Sequence, residues 1–189
     1  MLKYFLNREL SKRFGIPLGR WKRWSREFLP PDPLGGLQSG YARQFSVRDA
    51  FLVYLAGYLV SSQAYSIPEA RQILHDLNDW LQKEIIDPGA TAVEAEAALA
   101  SQSRRQELII TPVERNGLKA FSYRVRLLKD RRCLDGGQTA ELWQEQYWES
   151  VLKPGEPVPS GCYPVCERHL ALSALADHFF NRLSNGRHH

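Results

Sequence analysis

Gly15 to Asp49 read GIPLGRWKRWSREFLPPDPLGGLQSGYARQFSVRD, and the organisation of the whole N-terminal region follows from how this stretch is divided. Gly15 ends a preceding segment of good helix formers, residues 6–14, in which Leu6, Leu10 and Phe14 recur every four residues on one predicted helical face. Ile16-Pro17 then turns the chain into a second short helix, Leu18 to about Phe28, which Pro30, Pro31 and Pro33 close. Two short helices across a tight glycine-containing turn are the signature of a helix-turn-helix. The Gly-rich run Leu34 to Phe45 suits a hairpin loop, with Tyr41, Arg43 and Phe45 in strand alternation. Ser46-Val47-Arg48-Asp49 is a capping-box variant before an apolar run, so a third helix is predicted from Val47 to about Ser61.

Downstream, Ser66-Ile67-Pro68-Glu69 repeats the capping device, with Pro in the first turn of a fourth helix that runs to about Ile86. Asp87-Pro88-Gly89 stops it, and the Ala-rich run 90–100 reads as a linker or a short helix. The pattern then changes period. Glu107 to Val113 and Lys119 to Leu128 read as strands joined by Asn116-Gly117, a strong two-residue hairpin signal. Gly136-Gly137 marks another turn, Ala140 to Leu152 has helix-forming composition although Tyr147 to Leu152 also suits a strand, and Glu167 to Leu183 reads as a C-terminal helix. The fold class is therefore α+β. A mainly helical domain spans 1–86, a linker 87–104, and a small α+β domain with a β-hairpin and a C-terminal helix 105–189.

Charge is also unevenly divided along the chain. Residues 1–48 hold ten Lys or Arg against three acids, a net of +7, whereas residues 49–189 hold fifteen against eighteen, a net of −3. A basic block of that size attracts polyanions, nucleic acid first among them, because neutralising phosphates releases condensed counterions. The alternative is a solvated face with no partner. Lys3, Arg8, Glu9, Lys12 and Arg13 interrupt any N-terminal apolar run, and Ala50 to Val60 is too short to span a bilayer. A cytoplasmic chain without a membrane partner is expected.

Several of these residues, taken in order, resemble the MerR family of bacterial winged-helix regulators. Gly15-Ile16 stands at the family's inter-helix turn, Trp24-Ser25-Arg26-Glu27-Phe28-Leu29-Pro30-Pro31 at the end of its recognition helix, and Ser39-Gly40-Tyr41, Arg43, Phe45 and Ser46-Val47-Arg48-Asp49 at its wing and following cap. The resemblance covers about residues 4–77. It implies a winged helix-turn-helix, binding to double-stranded DNA, regulation of transcription, a homodimer and a small effector. Arg20 and Arg23, three apart, share a helical face, with Lys22 and Arg26 flanking them; these are the expected groove contacts. Tyr41 and Arg43 match the family's phosphate-contacting wing positions and would set register. The competing readings are an i, i+4 pair between Arg23 and Glu27, and a merely stabilised hairpin at Tyr41 and Arg43.

This chain departs from the family at several places. Pro17 replaces the usual Ser or Thr cap, the glycine before Leu29 is missing, the wing is Pro-rich and extended, and no charge falls between Asp49 and Glu69. A helix apolar all round is covered on all sides, so Phe51, Tyr54, Leu55 and Tyr58 are expected to dock against the C-terminal region or a second subunit. The stop at Asp87-Pro88-Gly89 leaves little length for the family's dimerisation helix.

Cys162, Cys166 and His169 form C-x3-C-x2-H, which Cys133 or His178 could complete as a soft metal site; the spacing matches no standard zinc motif, so no cofactor is expected. No nucleophile motif surrounds these cysteines, and the chain reads as a non-enzyme. Phe121, Tyr123, Trp143, Tyr147 and Trp148 suit a packed core better than an effector pocket. Two other function classes fit the same N-terminal pattern: an architectural, excisionase-like or phage DNA-packaging protein that needs no effector, and a protein-interaction module that keeps the fold without DNA binding.

Overall fold

In a computed structural model the chain is mixed helix and antiparallel sheet, and the residues described are 4–32, 42–84, 106–115, 118–133, 139–146 and 167–185. It divides into two compact units, residues 102–174 and the residues on either side of them, 1–101 with 175–189. Among the described residues no helix is long and apolar enough to cross a membrane.

The first unit opens with strand β1 (Phe5–Leu6), helix α1 (Asn7–Phe14) and helix α2 (Leu18–Phe28). Gly15 ends α1 at φ 65°, in the left-handed region where a Cβ is costly, and the Ser11 hydroxyl donates to the Ile16 carbonyl at 2.6 Å, tightening the turn into α2. Strand β2 (Gln44–Phe45) pairs antiparallel with β1, setting Phe5 opposite Phe45, and both rings are fully buried. Leu6, expected on the α1 face with Leu10 and Phe14, is instead a strand residue and 46% exposed; period two has replaced period 3.6 at that point. Of the predicted wing, residues 33–41 lie outside the described residues, and Gln44–Phe45 pairs with β1.

Helix α3 (Val47–Ser61) begins with the full reciprocal capping box: the Asp49 amide donates to Ser46 Oγ at 3.1 Å and the Ser46 amide to Asp49 Oδ2 at 3.2 Å. Helix α4 (Ile67–Glu84) repeats it with Ser66 and Glu69. Trp24 of α2 packs against Gly57 of α3, so closely that a Cβ at 57 would fall 2.3 Å from the indole. Trp21 and Trp24, one turn apart, thus form the buried side of α2.

The last helix, α5 (Leu172–Asn185), passes from the second unit into the first within its opening turn. Its Phe179 stacks on Phe14 of α1 at 5.1 Å, meets Phe51 of α3 edge-on at 5.2 Å and lies 5.5 Å from Tyr54. Arg13 donates to the Leu183 carbonyl at the end of α5. Helix α3 is accordingly covered within one chain: Phe51 and Leu55 are buried, and Tyr54 and Tyr58 half-buried. Burial raises the Tyr54 hydroxyl above its ordinary pKa, against the opposing pull of Arg182.

The second unit is a four-stranded antiparallel sheet in the order β5-β4-β3-β6, from β3 (Gln106–Arg115), β4 (Leu118–Cys133), β5 (Thr139–Gln146) and β6 (Arg168–Ala171). The β3–β4 ladder runs to Arg115 opposite Leu118, the closure that the Asn116-Gly117 signal predicts. Phe121, Tyr123, Val125 and Leu127 are buried with Leu108, Ile110 and Leu170 on one face, while Ser122, Arg124 and Arg126 are half-buried on the other. On that second face Arg124 pairs with Glu167, and Arg126 with Glu107.

Two predicted helices are corrected. Residues 139–146 form β5 rather than a helix, because the long β4 offers a free edge and ladder bonding outweighs local helix propensity; residues 147–152 lie outside the described residues. Arg168–Ala171 is strand β6 on the edge of β3, so the helix expected from Glu167 starts at Leu172, where Ser173 Oγ accepts from the Gln106 amide at 2.9 Å. From there the predicted stripe holds: Leu172, Leu175, Phe179 and Leu183 are all buried.

Candidate nucleic-acid interface

With Trp21, Trp24 and Ser25 turned inward and Leu18, Glu27 and Phe28 half-buried, α2 presents its remaining residues to solvent. Arg20, Lys22, Arg23 and Arg26 are all exposed. At about 100° per residue, Lys22 and Arg26 fall on the side opposite the two indoles, whereas Arg20 and Arg23 lie together on one flank of the helix. The face of Lys22 and Arg26 lines a groove of about 940 Å³ whose wall also carries Arg8 from α1 and Arg43 from the approach to β2. Asp32 is the acid in the lining, and Leu18 and Leu29 contribute apolar surface.

These cations differ in their freedom. Arg26 Nε donates to the Lys22 carbonyl at 3.3 Å, which lays the side chain along its own helix. Arg43 is half-buried; its Nη2 donates to the Pro30 carbonyl at 2.9 Å and its guanidinium lies 5.6 Å from the Phe45 ring centre. Arg43 therefore ties the segment before β2 to the chain leaving α2, and it presents only part of its guanidinium to the groove. Glu27 does not pair with Arg23. It pairs with Arg71 of α4 at 2.7 Å, and among the described residues no hydrogen bond or ion pair engages the side chains of Arg20 or Arg23.

Of the residues singled out in the sequence, Arg20, Lys22, Arg23, Arg26 and Arg43 belong to this one unit, and Tyr41 lies outside the described residues. Arg8 and Arg71 were missed as individuals. Arg8 is part of the basic block and had a charge signal; Arg71 is 44 positions from its partner and had none. Cys162 and Cys166 of the candidate metal set also lie outside the described residues. His169, on β6, is half exposed, with Nε2 3.9 Å from Glu167 Oε2. His178 stacks on Tyr54 at 6.3 Å. Among the described residues no group of three or more His, Cys, Asp or Glu side chains is placed to hold a metal ion.

No protein-family model matches this chain, and no curated protein matches it. The functional reading accordingly stands on the residues and their geometry.

Proposed function

We propose that this chain is a sequence-specific DNA-binding transcriptional regulator whose first unit works as a MerR-like winged helix-turn-helix, with α2 entering the major groove and the segment around Tyr41 and Arg43 resting on phosphates. The observation that carries the reading is a single helix anchored by two buried tryptophans on one side and bearing four exposed cations on the rest. A rigid helix of that kind holds guanidinium forks at fixed spacing, which bidentate contact with guanine edges needs. The short α1–turn–α2 arrangement and the groove shared by Arg8, Lys22, Arg26 and Arg43 support it. On the same reading the protein meets its operator as a homodimer, and a small effector acts through the second unit.

The test is footprinting and mobility-shift titration on duplex DNA from upstream of the protein's own gene. A protected site is expected, with affinity falling steeply with salt. Arg20→Ala with Arg23→Ala should abolish protection and the salt-dependent shift at that site. Absence of any salt-dependent shift, or a shift untouched by the double variant, would overturn the reading.

A further inference from the structure

The acid on α2 is what the proposed interface must manage. Glu27 lies four residues after Arg23 and seven after Arg20, so on a helix it falls about 40° and 20° from them, on the same flank. Left to itself it would draw Arg23 into an i, i+4 pair and set a carboxylate toward the phosphates. In the structure it does neither. Arg71, projecting from α4, makes two contacts to this one residue: Nη2 to Glu27 Oε2 at 2.7 Å, and Nε to the Glu27 main-chain carbonyl at 3.1 Å. The second contact satisfies one of the carbonyls that a helix leaves unpaired at its C-terminus, where a cation also complements the helix dipole.

We infer that Arg71 is a positioning residue for DNA binding: it neutralises Glu27 and fixes the end of α2, so that Arg20 and Arg23 stay available on a face without a free carboxylate. This rests on the DNA-binding reading above. Arg71 acts through Glu27 and does not itself need to touch DNA.

Because the effect runs through Glu27, removing the carboxylate should cancel the need for Arg71. The experiment is fluorescence anisotropy of the full chain on a mixed-sequence 30-base-pair duplex across a salt series, with thermal melting of every variant. Arg71→Ala is expected to weaken binding about tenfold, as one uncompensated charge near a phosphate would. Glu27→Gln alone should bind at least as well as the parent, and the double variant Glu27→Gln, Arg71→Ala should return to within about twofold of Glu27→Gln, with an unchanged salt slope. Arg71→Gln, which keeps a hydrogen-bond donor, should show the same rescue if Arg71→Ala melts early. If the loss persists in the Glu27→Gln background and the slope drops by about one, Arg71 is itself a phosphate contact and the inference fails while DNA binding stands. If the loss persists and follows the melting temperature, Arg71 only stabilises the fold and the inference again fails alone. A parent protein that binds no duplex overturns the DNA-binding reading, and the inference with it.

Discussion

Helices α2 and α3 pack face to face through Trp24 and Gly57, yet they meet their surroundings in opposite ways. Helix α2 buries one narrow side and keeps Arg20, Lys22, Arg23 and Arg26 in solvent; α3 carries no charge after Asp49 and is closed in by α2, α4 and Phe179 of α5. The contrast separates two jobs that one amphipathic helix usually combines. Helix α3 is a post, and α2 is mounted on it as an outward-facing tool. Substitutions on α3 and its neighbours should cost stability; on the proposed DNA-binding reading, substitutions of the exposed cations of α2 should cost binding alone.

Phe179→Ala puts the greatest strain on that division. It removes a ring that touches α1 and α3 together, and the cavity should cost about 3–5 kcal/mol in urea unfolding. Gly57→Ala comes next: the new methyl collides with the Trp24 ring, which is buried and cannot swing away, and about 1–3 kcal/mol should be lost in the same assay. A loss below about 0.5 kcal/mol would mean that α2 can lift off α3, and the post would not be rigid. Ser46→Ala removes one half of the capping box of α3 and should cost about 1 kcal/mol. Smallest is the effect of Arg20→Ala with Arg23→Ala on stability, which should stay within about 0.5 kcal/mol because neither side chain is buried.

At high pH a fifth measurement sharpens the same contrast. The hydroxyl of Tyr54, on the covered helix, titrates above its ordinary value of 10.0 in the folded chain. The unfolded chain therefore ionises first, and the stability this group contributes below pH 10 is lost as the pH rises through its folded value. Tyr54→Phe should flatten that part of the alkaline stability curve.

The local devices were legible in the sequence because each is complete within four or five residues. Ser46 with Asp49, Ser66 with Glu69, Gly15 and Asn116-Gly117 all mark the boundaries they predict. The buried indoles of α2 follow from their spacing as well. What escaped was set by distant chain. Leu6 is drawn out of a helical stripe by Phe45-containing β2, residues 139–146 and 168–171 are drawn into strands by open ladder edges, and Glu27 finds its cation on α4 in place of the nearer Arg23. At the candidate interface the cations were readable from charge and helical spacing, but their differing availability was not. Arg43 is partly spent on the Pro30 carbonyl, and no local pattern announces that bond.

The seat of Phe179 also sets a timetable. The first unit is interrupted by residues 102–174 and completed by residues that follow them, and the bond from Arg13 to the Leu183 carbonyl joins positions 170 apart. During synthesis at roughly 5–20 residues per second, α1 to α4 leave the ribosome about 5–20 s before the helix that roofs them. Until then the aromatic side of α3 has no lid, and the nascent protein must be shielded or stay partly folded. On the proposed DNA-binding reading, α2 gains its full support only once α5 has been made, which links the capacity to bind to the arrival of that helix.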